Sequence, residues 1–464
     1  MFLDKIFKKE NKEEIQENIS KQELITKPLS GFMELLPAEQ IVFNQIMDTI
    51  RQTYELFGFI PMDNPVLERA EVLLAKAGGE TEKQIYRFKK GDTDLAMRFD
   101  LTVPLARYVA QNQRDLAFPF KRYSIGKVYR GERAQAGRFR EFYQCDIDVI
   151  GYEKLDIRFD AEIPSIIYTI FKKLGFDKFT IRINNRKIFN GLFESLKVQE
   201  KSAKIMQSID RMEKMRNLPA GRQVEKVNQE LKELGLLEDQ ISQISKLISL
   251  KGNSQEMIKG LKDLGIENEQ FEEGVEELKK VSILIQQLGV PESNFIIDAT
   301  IARGLDYYTG IVYETRLDEY PEIGSVCSGG RYEDLASQYT DRKLPGVGIS
   351  IGLTRLFDQL LEKGALKTGS ATPTKVLVLP MTDNFEKSLQ LANKLRKNKI
   401  STEVSFNIES KMKKRLGYAD KLEIPFSIFI GEDELSKGIY TLKDMKTGEQ
   451  EELTEENLLK KLSR

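Results

Sequence analysis

Residues Val128 to Gly151 read VYRGERAQAGRFREFYQCDIDVIG. Two stretches of strand character flank a basic, glycine-containing loop, so the segment predicts an antiparallel hairpin. The second strand alternates with a period of two. Tyr143, Cys145, Ile147 and Val149 fall on one face, and Gln144, Asp146 and Asp148 on the other. A sheet of this kind buries its apolar face and turns the other to water or a ligand. Three polar groups in a row, two of them carboxylates, make a ligand wall. On the first strand Val128, Arg130 and Glu132 share a face. A guanidinium there suits a planar, two-pronged grip on phosphate or carboxylate. The bland alternative is a surface hairpin with solvated charges.

Composition narrows the field. A chain of 464 residues predicts two to four domains. Charged residues make up 31% and nearly cancel, leaving a formal net charge of −1. That excludes a simple polybasic nucleic-acid binder but not an enzyme with a local basic face. With 2 Cys and no His, a Cys/His zinc site is ruled out and a disulfide scaffold is not expected. No apolar run approaches the length of a membrane span. The first twenty-odd residues, rich in Lys and Glu, resemble neither a secretory signal nor a transit peptide. The expected location is the cytoplasm. Without His, the commonest general base is missing, so catalysis must use carboxylates, Arg, Lys, Tyr, hydroxyls, metal ions or the substrate itself.

Along the chain, apolar residues at Ile41, Ile46, Ile50, Tyr54 and Leu56 predict a helix over Glu39–Phe57, and Phe59–Val66 a strand containing Pro61 and Pro65. Gly91 and Asp92 predict a turn. Asp100 and Thr102, two apart, are expected on one face of a strand that ends where Pro104 begins a helix. A helix is expected over Phe159–Leu174 and a strand over Phe179–Ile183. From about Lys197 to Gly289 the composition turns to Lys, Glu, Gln and Leu with helical period, broken by a loop at Leu218–Gly221. Asn294–Thr300 returns to a strand pattern and leads into Arg303-Gly-Leu-Asp-Tyr307-Tyr308-Thr-Gly310-Ile-Val-Tyr-Glu314. Cys327-Ser-Gly-Gly-Arg-Tyr332 follows. Leu344–Leu356 predicts a strand running into a helix that starts near Arg355. Its three glycines lack the βαβ unit and later acidic residue of a dinucleotide fold. After Gly369, strands over Lys375–Pro380, Ser401–Phe406 and Phe426–Ile430 alternate with helices over Phe385–Lys397 and Lys411–Ala419. This predicts a small α/β domain with a mainly parallel core. Lys411, Lys413, Lys414 and Arg415 cluster there and are either solvated surface or a face for RNA phosphates.

The Arg-Gly-Glu-Arg and Gly-Arg-Phe-Arg-Glu-Phe-Tyr-Gln of the opening stretch resemble the second motif of class II aminoacyl-tRNA synthetases. Cys145–Asp148, Arg303–Glu314 and Cys327–Tyr332 are similar to the histidyl-tRNA synthetase versions, and Leu344–Leu356 resembles the third class II motif. The resemblance implies an α+β catalytic domain on an antiparallel sheet, a helical insertion domain and a C-terminal α/β anticodon-binding domain. The implied division is a charged N-terminal extension at 1–27, catalytic parts at 28–196 and 290–368, the insertion at 197–289, a linker at 369–374 and the last domain at 375–464. It implies a histidine–tRNA ligase that uses ATP, with magnesium brought by ATP and no zinc, and that works on tRNA(His) as a homodimer away from membranes. Arg130 and Arg303 are the implied catalytic pair. Asp100, Leu101, Thr102, Gln144, Asp148, Arg303, Tyr307 and Tyr308 would hold histidine. Arg130, Glu132, Phe142 and Arg355 would hold ATP. Gln135 and Arg140, in the loop between the two strands, would read the tRNA. Two other readings remain: a histidine-sensing regulatory paralogue without activity, and a class II enzyme for another amino acid.

Overall fold

The structure, a computed structural model, describes residues 26–74, 79–133, 135, 137–215, 218–301, 307–333, 336–382 and 385–463. The N-terminal extension up to residue 25 and Arg303 lie outside the described residues.

Eight strands form the main sheet. They are β1 (Ile60–Pro61), β5 (Phe120–Tyr129), β6 (Glu141–Ile150), β7 (Phe179–Asn185), β8 (Phe295–Ile297), β9 (Ile311–Leu317), β10 (Ser325–Tyr332) and β11 (Gly346–Gly352). Their order is β1-β5-β6-β11-β10-β9-β7-β8. The pairings from β5 to β7 are antiparallel, and β1 and β8 add parallel edges. β2 (Leu67–Arg69), β3 (Arg87–Lys90) and β4 (Thr93–Met97) make a separate small sheet whose β3–β4 turn is at Gly91 and Asp92.

The alternation in β6 is what fixes this sheet. Cys145, Ile147 and Val149 are fully buried, in one core with the helices Pro37–Leu56, Arg158–Lys173 and Leu353–Glu362. Ile147 and Val149 each contribute about 1.5–3 kcal/mol on leaving water. Tyr143, on the same face, sets its ring edge-on to Phe43 with centroids 5.5 Å apart. Tyr143 N–H also donates to Thr354 Oγ1 at 2.8 Å, which ties the third-motif helix to this strand.

Several expectations need correction. In the first helix Leu56 is 72% exposed and Phe43 takes the core position instead. The strand expected over Phe59–Val66 shrinks to two residues, and that over Asn294–Thr300 to three. Asp100 and Thr102 are not on a strand. β4 ends at Met97, and the helix Thr102–Asn112 begins where the Asp100 carboxylate accepts the Val103 N–H at 3.0 Å. A carboxylate at a helix start satisfies an otherwise orphaned amide and favours the turn over the strand. The loop expected at Leu218–Gly221 is shorter, because the helix Ala220–Glu233 already includes Ala220 and Gly221.

The helical insertion is joined to the sheet domain through its last helix. Glu269–Gln287 packs on Arg186–Ser195 and on Arg158–Lys173 within the same core. The close crossing depends on Gly191, where a Cβ would press on Phe271, and on Gly274, where it would press on Lys187 and Ile188.

In the last domain β12 (Val376–Pro380) lies between β13 (Thr402–Val404) and β14 (Phe426–Ile430), all parallel. An antiparallel hairpin, β15 (Tyr440–Asp444) and β16 (Gln450–Leu453), extends the sheet beyond the expected strands. Its cores share no residue with the main one.

Candidate active site

Register puts the polar side of the hairpin into cross-strand rows. Arg122 of β5 stands opposite Asp148 of β6, which faces Gly348 of β11. Ser124, Asp146 and Ser350 form the next row, and Gly126, Gln144 and Gly352 the third. Asp146, Asp148, Gln144 and Ser350 line a cavity of about 470 Å³. Gly348 is required here, since a Cβ at that position would collide with the Asp148 carboxylate.

Arg122 is fully buried. Its Nη2 pairs with Asp148 Oδ2 at 2.6 Å and donates to the Leu101 carbonyl at 3.1 Å. Tyr332 OH donates to Asp148 Oδ1 at 2.8 Å. Asp148 is thus gripped on both oxygens. Burial still pushes its carboxyl up to about 6, against the downward pull of Arg122 and Tyr332. Asp146 is pushed up to about 7 by burial, which outweighs the pull of Arg122 and the Ser350 hydroxyl. Gln144 Nε2 donates to Ser350 Oγ at 2.7 Å. Asp100, also raised by burial, keeps Oδ1 on the Val103 amide while Oδ2 has no partner.

One wall is aromatic. The rings of Tyr307 and Tyr308 meet edge to face with centroids 4.8 Å apart. Their hydroxyls form a chain with Thr102. Burial holds both phenols above their ordinary range, so they are neutral hydrogen-bonding groups.

At the other end sit groups suited to an anion and a flat ring. Arg130 Nε donates to the Phe99 carbonyl at 3.1 Å, and its guanidinium lies over the Phe142 ring, 5.0 Å from the centroid. Glu132 pairs with Arg138 at 3.3 Å. Arg355 donates to the Ile323 carbonyl at 2.5 Å. Arg130, Glu132, Phe142 and Arg355 line the same cavity as Asp100, Thr102, Gln144, Asp148 and the two tyrosines.

The structure does not bring every expected residue into that cavity. Leu101 is buried and reaches the site through its backbone, as the carbonyl that accepts from Arg122. Gln135 is exposed in a tight turn, its amide and carbonyl paired with Arg138. Arg140 braces the loop base, donating to the carbonyls of Glu132 at 3.1 Å and Ser30 at 3.4 Å. In the last domain Arg415 is buried and bonds the carbonyl of Pro380 and the hydroxyl of Ser405, so it is no part of an RNA face. Lys411, Lys413 and Lys414 remain exposed. Arg122 and Tyr332 had no assigned role in the sequence reading. The hairpin register, extended back along β5, was the signal for Arg122. Among the described residues, no group of three or more Cys, Asp or Glu is placed to hold a metal ion, and no helix is long and apolar enough to cross a membrane.

Comparison with known proteins gives concordant matches. The profile of the histidyl-tRNA synthetase family matches residues 31–356, and that of the anticodon binding domain matches residues 375–464. A histidine–tRNA ligase of Clostridium tetani is 58% identical over 94% of this chain and 98% of its own length. One from Clostridium acetobutylicum is 47% identical over 93% of this chain and 98% of its own. The crystal structure of histidyl-tRNA synthetase from Nostoc sp. PCC 7120 superposes with a TM-score of 0.86, at 41% identity, over 95% of this chain and all of that one.

Proposed function

We propose residue roles for a chain that belongs to the histidyl-tRNA synthetase family, as the match over residues 31–356 and the 58% identical relative establish. It is a histidine–tRNA ligase, which activates histidine with ATP and transfers the histidyl group to tRNA(His). The family uses ATP with magnesium for the first step.

The reading rests on one observation above others: a buried, gripped carboxylate, Asp148, at the bottom of a cavity whose far end carries Arg130 and Phe142. Asp148 and Tyr308 take the two imidazole nitrogens, with Tyr307 behind. Asp100, Thr102 and Gln144 take the α-ammonium, and Leu101 holds that turn in place. Arg130 and Arg303 grip the substrate carboxylate and the α-phosphate. Phe142 stacks on adenine, Glu132 accepts from its amino group, and Arg355 holds the triphosphate side. In the first step a carboxylate oxygen of histidine attacks the α-phosphorus. The bond to the β-phosphate bridging oxygen breaks, and pyrophosphate leaves. A carboxylate is ionised at pH 7 and needs no base, so a chain without His loses nothing here. The work is positioning and stabilisation of charge on the in-line transition state. In the second step the tRNA 3′-terminal ribose hydroxyl attacks the activated carbonyl and AMP leaves.

Magnesium enters as part of the nucleotide substrate. Zinc has no place in this reading, since both cysteines are buried in the core. A homodimer through the helix Pro37–Leu56 and the adjoining β1 is supported by Leu36, Leu56 and Ile60, which are 71%, 72% and 51% exposed in the single chain. The cytoplasm is the proposed location. ATP–pyrophosphate exchange with each of the twenty amino acids tests the whole reading. Histidine alone should drive exchange, and comparable exchange with another amino acid would overturn it.

A further inference from the structure

The pocket floor carries one carboxylate more than its partners balance. Asp148 has Arg122 and Tyr332. Asp100 faces the place assigned to the ammonium. Asp146 is left with the Ser350 hydroxyl, while its Oδ1 makes no hydrogen bond. It is 3% exposed, and among the described residues no salt bridge reaches it. Arg122 does not hydrogen-bond Asp146: its Nη2 is spent on Asp148 and the Leu101 carbonyl, and neither its Nε nor its Nη1 reaches a partner. A buried carboxylate in that position takes a proton or waits for a cation.

We propose that Asp146 is a specificity residue that makes the pocket and the bound imidazole hold one proton in common, so that histidine is selected as the side chain able to share it. This rests on the histidine-binding reading above. The proton lies either on Asp146 Oδ1 beside a neutral imidazole or on the ring as imidazolium beside an ionised Asp146. Either way the complex contains one, and the excess charge is cancelled. An ordinary imidazole titrates near pH 6.5. The carboxyl of Asp146, pushed up by burial to about 7, is therefore matched to it.

Other groups facing Asp146 do not supply that proton. Arg122 on β5 is a fixed cation, and Asp148 and Asp100 are further carboxyls that raise Asp146. Tyr308 and Tyr54 are phenols held above their ordinary range by burial, as are the thiols of Cys145 and Cys327, so all four stay neutral.

Exchange kinetics of wild type, Asp146→Asn and Asp146→Glu from pH 6 to 9 test this. In wild type, kcat/KM for histidine should fall about tenfold per pH unit above roughly pH 7–7.5, as the shared proton is lost. Asp146→Asn should lack that limb up to about pH 8.5 and should have a raised KM for histidine, while Asp146→Glu keeps the limb. Deprotonation of the histidine ammonium is common to all three. The same limb in wild type and Asp146→Asn, or none in wild type, overturns the proposal. Should the variants fold poorly, calorimetry of histidine binding to wild type at pH 8 in buffers of different ionisation enthalpy decides. Uptake approaching one proton per site supports the shared proton, and zero uptake overturns it. A wild-type protein that shows no exchange with histidine at any pH would instead defeat the functional reading itself.

Discussion

Asp146 and Asp148 are two residues apart on one strand and equally buried, yet their partners differ. Asp148 is held by a guanidinium and a phenol, and Asp146 by one hydroxyl. The difference has a stability consequence. A folded-state carboxyl at about 7 lies above its unfolded value, so the folded state binds more protons between about pH 4 and 7. Stability therefore falls as pH rises through that window, and the penalty is complete above it. Asp146→Asn should raise the melting temperature of the ligand-free protein by a few degrees at pH 8, an effect on the order of 1–4 kcal/mol. The gain should shrink to about 1 kcal/mol or less near pH 4.5. An equal gain at both pH values would mean that the charge is not its cause. Arg122→Met tests the grip on Asp148. Removing one partner of a buried charge pair costs about 2–5 kcal/mol. The KM for histidine should rise by roughly 30-fold or more while that for ATP stays within about twofold. An unchanged KM for histidine in exchange assays would remove Asp148 from the imidazole site.

At the scale of elements, much of the site was legible because β6 alternates cleanly, and a period of two leaves no doubt about which residues share a face. Its partner was harder to read. Arg122 and Ser124 look like ordinary surface residues beside Lys121 and Tyr123 until the register sets them against Asp148 and Asp146. Asp100 and Thr102 line one cavity, but a helix start and not the expected strand brings them there. The hairpin Tyr440–Leu453 went unread because β16 is the edge strand and shows Gln450, Glu451 and Glu452 to water. Edge strands carry charge and lack the buried repeat that marks a central strand. Glycines give a paired test of packing. Gly191→Ala puts a methyl group against the Phe271 backbone and should lower stability by about 1–3 kcal/mol. Gly417→Ala, inside the helix Met412–Lys421 with open space around it, should raise stability by about 0.5–1 kcal/mol. Urea unfolding midpoints moving in the same direction for both would contradict the crossing. In the loop between β5 and β6, Gln135→Ala should leave exchange intact and slow tRNA charging. Arg140→Ala should weaken both steps, because its guanidinium holds the carbonyl of Glu132. Normal charging by both variants would take this loop out of tRNA recognition.

At the scale of the molecule, the buried apolar clusters of the described residues divide between two units, three in the first and two in the second. The largest cluster of the first unit runs from Phe43 to Leu360 and draws on the sheet, its covering helices and the helical segment after β7. The second unit is the last domain, whose two clusters include Val376, Leu391, Ile428 and Leu458 in one and Leu377, Leu379 and Ala419 in the other. Each unit has a hydrophobic core of its own, as an independently folding domain requires. Every cavity-lining residue lies at or before Arg355, within the first unit. The boundary can be placed by hydrogen bonds. Ser370 Oγ donates to the Leu422 carbonyl at 2.8 Å and the Ala371 amide to the same oxygen at 3.2 Å, so the chain already belongs to the second unit at Ser370. A fragment ending at Thr368 removes the second interior without opening the first. Adenylate formation needs only groups of the first unit, and this fragment should support ATP–pyrophosphate exchange with histidine within about threefold of the full chain. Charging depends also on contacts with the body of the tRNA, where cationic side chains neutralise phosphates at a distance from the reacting atoms. Lys411, Lys413 and Lys414 are exposed cations of that kind, and they leave with the second unit. The kcat/KM for tRNA should fall by roughly 100-fold or more in the fragment, and the full chain should lose affinity for tRNA more steeply than the fragment as salt is raised. Loss of exchange in a fragment that still unfolds cooperatively would show that the last domain contributes to the pocket. Equal salt dependence of charging in both proteins would show that its lysines do not meet the RNA.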